Sequence, residues 1–335
     1  MGRYLLLINI LLLIFLFRVF EIGGLDPDKT SDPNIEALGG RLSFIRETIA
    51  SKAQYLLPEP QASLLSGMVL GVRENLPFEF RKALTNTSTI HVVVASGQNL
   101  TLLSGFLMGL VSILGRKKTL GLTLGVNVFY AFLTGLQIPI IRAALMNSAV
   151  LGSQLLGREV NNFWVLTFTG ALMLIYNPNW LFSISFQLSF LATFGVLVIA
   201  PFLIERTKLL PNIIRTDLIV SVCAQIMILP VIGANFYTIS IIGVLVNALV
   251  LWTVPFIMIT GVMALIVSFI SLTLAQVIAL IPGIFLTYFT YIVTFLNVRW
   301  GVMLIGRLSL LIWIGYYLII AGIVFSLIKG SKTKG

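Results

Sequence analysis

Apolar residues in this chain fall in long runs broken by short polar punctuation, a pattern that predicts helices rather than strands. Residues 4–20 form the first run, between Arg3 and a late Arg18. No small-x-small cleavage pattern follows, since the chain reads Phe20-Glu21-Ile22, so the run is expected to be an uncleaved helix with its amino end inside. Residues 21–34 hold Asp26, Pro27, Asp28, Asp32 and Pro33 and read as a loop. From Ile35 to Leu57 the pattern becomes amphipathic. Leu38, Leu42, Ile45, Ile49 and Ala53 share one face, with Arg41, Arg46, Glu47 and Lys52 between them. This predicts a helix lying at the membrane interface, stopped by Pro58 and Pro60. Residues 61–84 contain too few apolar residues to span, and Arg73, Glu74, Glu79, Arg81 and Lys82 keep them wet. They are expected at the interface or as a cap over the body.

Later runs are long enough to cross a bilayer, which takes roughly 20 apolar residues. Residues 89–114 are interrupted by Ser96-Gly97-Gln98-Asn99 and end at Arg116, Lys117 and Lys118. Crossings follow at 119–137, 138–157, 161–176 (ending at Asn177-Pro178), 180–203, 217–236, 275–297 and 308–328. The run 238–271 is too long for one straight helix, and Pro255 divides it. The pattern predicts an all-α polytopic membrane protein with about ten crossings and both ends inside. Counting the two halves around Pro255 separately would make it eleven. Lys117 and Lys208 are then cytoplasmic, Asp28 and Asn177 external.

Composition agrees with the pattern. The chain has 335 residues, 58% hydrophobic and 10% charged, with a mean hydropathy of +1.03. Soluble chains carry roughly 25% charged residues. A soluble enzyme, a disordered tail and a disulfide scaffold are excluded. The net charge of +10 is unevenly placed. Residues 1–82 hold nine basic and nine acidic residues, whereas 83–335 hold thirteen basic residues and only Glu159, Glu205 and Asp217. The positive-inside rule accounts for much of this bias. A path for a polyanion is the sharper reading. With one cysteine, Cys223, and one histidine, His91, neither an internal disulfide nor a Cys/His zinc cage can form. No metal or cofactor is expected.

Polar groups inside hydrocarbon persist where they face protein or a water-filled cavity. Four places break the apolar pattern. His91 precedes Ser96, Gly97, Gln98 and Asn99, which predict unwound backbone lining a cavity. His91 and Ser96 are five apart and no acid is near, so a hydrolytic pair is not expected. Arg142 lies mid-run with no acid in the neighbouring runs, so it must meet carbonyls, water or an anionic guest, or else snorkel to the interface. Ser183, Ser185, Gln187 and Ser189 make a polar stripe. Gln225, Asn235, Ser240 and Asn247 form the last group. Each alone would be ordinary helix–helix glue. Amides and hydroxyls almost without carboxylates suit an uncharged or anionic guest better than a proton relay.

Several ordered blocks resemble the membrane domain of the ComEC family of competence proteins. They include Leu57-Pro58-Glu59-Pro60-Gln61, Leu76-Pro77, Thr89-Ile90-His91-Val92-Val93-Val94-Ala95-Ser96-Gly97, Ile138-Pro139-Ile140-Ile141-Arg142-Ala143, Phe186-Gln187-Leu188-Ser189, Leu229-Pro230, Phe236-Tyr237-Thr238-Ile239-Ser240, Asn247 and Pro255. The resemblance covers residues 57–260 and implies a channel for single-stranded DNA across the cytoplasmic membrane in natural transformation. It divides the chain into an anchor (1–22), a short external segment (23–56), the competence membrane domain (57–328) and a basic tail (329–335). It leads one to expect neither the family's OB-like domain nor its metallo-β-lactamase-like domain here. Separate DNA-receptor, nuclease and DNA-translocase proteins would then be partners, beside DNA, the lipid bilayer and further copies of the chain. The family often has a second histidine where this chain has Gln98-Asn99, which points to a polar lining rather than a catalytic base. A small-molecule transporter with broken helices is the rival reading. No inverted repeat is legible to favour it. An intramembrane hydrolase would need a nucleophile with a base and an orienting group.

Overall fold

Helices in the computed structural model follow the apolar runs, with three departures that matter for the site. The structure describes residues 2–72, 74–93, 96–207, 212–304 and 309–332. Arg73, Val94, Ala95, Lys208 and residues 333–335, which figure in the sequence analysis, lie outside the described residues. The chain starts with α1 (Gly2–Glu21), α2 (Pro33–Gly40), α3 (Ser43–Leu56), α4 (Gln61–Leu70), α5 (Phe78–Asn86) and α6 (Ile90–Val93). Next come α7 (Gly97–Met108), α8 (Val111–Leu114), α9 (Arg116–Leu133), α10 (Ile138–Leu155) and α11 (Asn162–Tyr176). A continuous helical rod follows, α12 (Ile184–Phe194) joined to α13 (Ala200–Arg206) by a π-helical turn, Gly195–Ile199. The remainder is α14 (Asn212–Phe236), β1 (Thr238–Ser240), α15 (Gly243–Val250), α16 (Val254–Val267), α17 (Leu272–Phe295), β2 (Val302–Leu304) and α18 (Leu310–Lys332).

Among the described residues four helical stretches are long and apolar enough to cross a membrane: Ile184–Glu205, Leu218–Phe236, Gly243–Val267 and Leu272–Phe295. Shorter apolar helices lie at Gln61–Leu70, Asn162–Tyr176 and Leu311–Val324. The architecture is that of a nearly all-helical membrane protein. Pro255 sits in the first turn of α16, after a 3-10 turn at Leu251–Thr253, but it does not divide the run as expected: Gly243–Val267 stays one continuous helical stretch, because a proline in a first turn has no intrahelical bond to remove.

The first departure concerns residues 61–70. They are enclosed by protein instead of lying on its surface. Every residue of α4 from Ala62 to Leu70 is buried, and Leu64, Leu65, Met68 and Leu70 are fully enclosed by α3, α6, α16 and α17. Small residues let the neighbours come close. A Cβ on Gly67 would lie 2.9 Å from the carbonyl oxygen of Val93, and one on Gly261 of α16 would meet Leu65. Gly71 closes the helix in the left-handed conformation, φ 75°. α4 is a core plug, packed on by α3, α6, α16 and α17.

Secondly, the expected single helix over 35–57 is two. α2 ends at Gly39-Gly40, where a Cβ on Gly39 would meet the Gly135 carbonyl oxygen at 2.7 Å. The close approach to that loop turns the chain.

The third departure is β-structure where only helices are expected. β1 and β2 form an antiparallel ribbon, Thr238 opposite Leu304 and Ser240 opposite Val302. Tyr237, with φ 55°, reverses the chain after α14. β1 then runs back along that helix, and the Ser240 carbonyl reaches Nε2 of Gln225 at 3.5 Å. Gln225 is about three turns inside the end of α14. α15 therefore starts part-way along α14, not beyond its end.

Candidate functional site

The predicted polar residues gather into two groups, one at the start of α7 and one at the start of α15. The first is built where α7 begins. Ser96 is extended (φ −106°, ψ 159°) and its hydroxyl accepts the amide of Asn99 at 3.3 Å, an N-cap. Part of the polarity of Ser96-Gly97-Gln98-Asn99 is thus a helix start, a signal the apolar pattern does not carry. Asn99 is 1% exposed, and its Nδ2 donates to the carbonyl of Met68 at 2.8 Å. Tyr130 of α9 donates to the same carbonyl at 3.4 Å. Asn99 therefore ties α7 to α4. Its Oδ1 is buried without a partner. Gln98 and His91 are exposed instead.

Gly97 is the point where α7 touches α10. A Cβ there would lie 2.7 Å from Nη2 of Arg142 and 3.0 Å from Cβ of Ala143. Arg142 is 9% exposed and does not snorkel outward. Its Nη1 donates to the hydroxyl of Thr193 on α12. The Thr193 hydroxyl in turn donates to the Ser189 carbonyl at 2.9 Å. The guanidinium carbon lies 5.9 Å from the ring centre of Phe190, and Nε has no partner. No carboxylate pairs with Arg142 among the described residues.

The second group surrounds the start of α15. A Cβ on Gly243 would come within 2.7 Å of Cβ of Ser88, 3.1 Å of Oγ of Ser240 and 3.3 Å of Nε2 of Gln225. Ser88 holds the left-handed conformation after α5, φ 54°, and its backbone bonds to His91. Oε1 of Gln225 and Oγ of Ser240 are buried without partners. Asn247, one helical turn beyond Gly243, is 4% exposed, and its Oδ1 also lacks one.

Two expected members stand apart. Ser185 is exposed. Gln187 donates to the Leu181 carbonyl at 2.9 Å and lines a shallow apolar depression with Phe182, Phe186 and Phe190. Sequence reasoning missed Thr193, although it continues the Ser185–Ser189 spacing by one more turn. It also missed a buried chain between α7, α9 and α10. There Ser104 donates to Asn127 at 2.6 Å and Asn147 donates to Ser104 at 3.4 Å. No cluster of His, Cys, Asp or Glu that could hold a metal exists among the described residues.

A family model described as competence protein matches residues 68–330. ComE operon protein 3 of Bacillus subtilis is 27% identical over 255 residues, covering 76% of this chain and 32% of that protein. An uncharacterized protein of Aquifex aeolicus is 39% identical over 129 residues, 38% of this chain and 30% of the relative. The uncharacterized protein YcaI of Escherichia coli is 25% identical over 273 residues, 74% and 36% respectively. The chain spans about a third of the length of these relatives. No solved structure matches it significantly.

Proposed function

Because the chain belongs to the competence-protein family, we propose that its helical body forms the passage by which single-stranded DNA crosses the cytoplasmic membrane during DNA uptake. The observation that carries this reading is broken backbone in the interior, furnished with polar atoms that no protein group satisfies. α7 starts afresh at the extended Ser96, α15 starts alongside the middle of α14, and Gln225, Ser240 and Asn247 each hold a buried polar atom without a partner. An unmet polar group of this kind costs about 1–3 kcal/mol. Backbone of this kind is tolerated at membrane depth where protein or a water-filled cavity surrounds it. Amino groups of the bases can donate to the amide oxygens of Gln225 and Asn247, and a phosphate oxygen can accept from the Ser240 hydroxyl. The thirteen basic residues after position 82, against three acids, favour a polyanion over a cation.

In this scheme the chain supplies the passage, and separate proteins capture DNA, degrade one strand and draw the other inward. The test follows labelled DNA in cells with and without the chain. Removal should leave surface-bound label in place and abolish nuclease-protected label. Undiminished protected label would end the channel reading. A cysteine scan on a Cys223→Ser background adds the route. Gln98→Cys should react with a small water-soluble thiol reagent, and DNA in transit should slow the reaction.

A further inference from the structure

The contact between Arg142 and the first turn of α7 is electrostatically unfavourable as it stands. A helix carries partial positive charge at its amino end, roughly half an elementary charge. The amides of the first turn, at Gly97 and Gln98, have no acceptor within the helix. Cations belong at the opposite end. Yet the guanidinium of Arg142, nine-tenths buried, is brought against Gly97 by the only residue type that leaves room for it. Among the described residues no acid offsets the charge, and the attraction of the Phe190 ring is weak beside that of a carboxylate. Thr193 meets it as a neutral acceptor, the ring of Phe190 lies beneath it, Nε is unbonded, and no acid pairs with it among the described residues. Like-signed groups so arranged destabilise one another in a medium that screens poorly. They are, however, the components of an oxyanion site: helix-start amides and a forked guanidinium.

We infer that the start of α7 together with Arg142, which Thr193 holds in place, binds a phosphate-type oxyanion, one at a time. Resting on the channel reading, the site would take one phosphodiester of the passing strand by its charge and its oxygens, without regard to base. Free inorganic phosphate has the same chemistry and would compete.

The test uses the purified full chain in a maltoside detergent, with thermal unfolding as readout. Inorganic phosphate should raise the midpoint saturably, whereas chloride at equal ionic strength and neutral trimethyl phosphate should not. Arg142→Gln should need roughly tenfold more phosphate or higher for the same shift, as expected for losing one charged contact. Without phosphate this variant should be at least as stable as the parent, since an unpaired cation has been removed. Parallel responses of parent and variant overturn the site. Should Arg142→Gln not fold, the parent alone decides: equal shifts with phosphate and chloride overturn it. Oligothymidylate competing with phosphate, where its uncharged methylphosphonate counterpart does not, identifies the strand as ligand. No competition by either oligomer leaves free phosphate as the ligand. Nuclease-protected DNA in cells carrying Arg142→Gln is measured separately. If it is normal while phosphate stabilises only the parent, the anion site stands and its place in the DNA path falls.

Discussion

Gly97 and Arg142 are so close that a methyl group on the first would sit 2.7 Å from Nη2 of the second. The absence of a side chain at Gly97 lets α7 approach Ala143 and the guanidinium of α10 this closely. Gly97→Ala should therefore force the helices apart or move Arg142, costing about 1–3 kcal/mol as overpacking does. The double variant Gly97→Ala with Arg142→Gln should lose less than the sum of the two single effects, because the shorter side chain makes room. Chemical denaturation of the four proteins in detergent measures this. Strict additivity would show that the approach is not felt.

Asn99 presents a different balance. Its Nδ2 holds the Met68 carbonyl at 2.8 Å across two helices, inside protein. Asn99→Leu removes that tie and should lower stability by about 0.6–2 kcal/mol, the range for interhelical hydrogen bonds in membranes. Asn99→Cys should resist water-soluble thiol reagents, while Gln98→Cys, one position away and exposed, should react. Protein level and labelling read together decide. Rapid labelling at Asn99→Cys with unchanged stability would place the residue in water instead.

Topology rests on contacts between distant segments. The amide of Asp26 donates to Oδ1 of Asn179 at 2.9 Å, and Nε of Arg18 donates to the carbonyl of Ile175 at 3.1 Å. The loop after α1 and the end of α11 thus lie on one side. Nη2 of Arg116 donates to the carbonyl of Gln154 at 2.8 Å, joining the start of α9 to the end of α10. α11 separates the two ends. On a Cys223→Ser background, an impermeant thiol reagent should label Asp28→Cys and Asn177→Cys alike in intact cells. Lys117→Cys should stay unlabelled until the membrane is opened. Opposite behaviour of Asp28→Cys and Asn177→Cys would contradict the contacts themselves.

Features written into single residues were legible in the sequence. Asn177-Pro178 ends α11, and Pro139 and Pro255 lie in the first turns of α10 and α16, because proline acts on its own backbone. The isolation of Arg142 from acids was also legible, since only three acids occur after residue 82. Features set by distant partners were not. The burial of α4 depends on Val93 and on Leu65 packing onto Gly261, and the β1–β2 ribbon pairs residues about sixty positions apart. Ser96 shows the ambiguity within one residue. A helix cap and a cavity lining call for the same hydroxyl, and only the hydrogen bond to the Asn99 amide distinguishes them.

The start of α15 provides the remaining prediction. Gln225 approaches the Ser240 carbonyl at 3.5 Å through Nε2, while its own Oε1 and the Ser240 hydroxyl meet nothing. A side chain kept for packing would be satisfied, since an unmet buried amide oxygen is worth about 1–3 kcal/mol of lost stability. Gln225→Leu removes that unmet group and one long hydrogen bond, so the protein should stay abundant and inserted. If water or strand occupies this place, the same variant should sharply reduce nuclease-protected DNA. Gly243→Ala serves as the contrast. Its methyl group would meet Cβ of Ser88 at 2.7 Å, so it should lower protein level as well as import. Both quantities are measured in the same cells, by immunoblot and by protected label. Normal import in Gln225→Leu at normal abundance would take the α14–β1 junction off the DNA route, leaving it a structural joint.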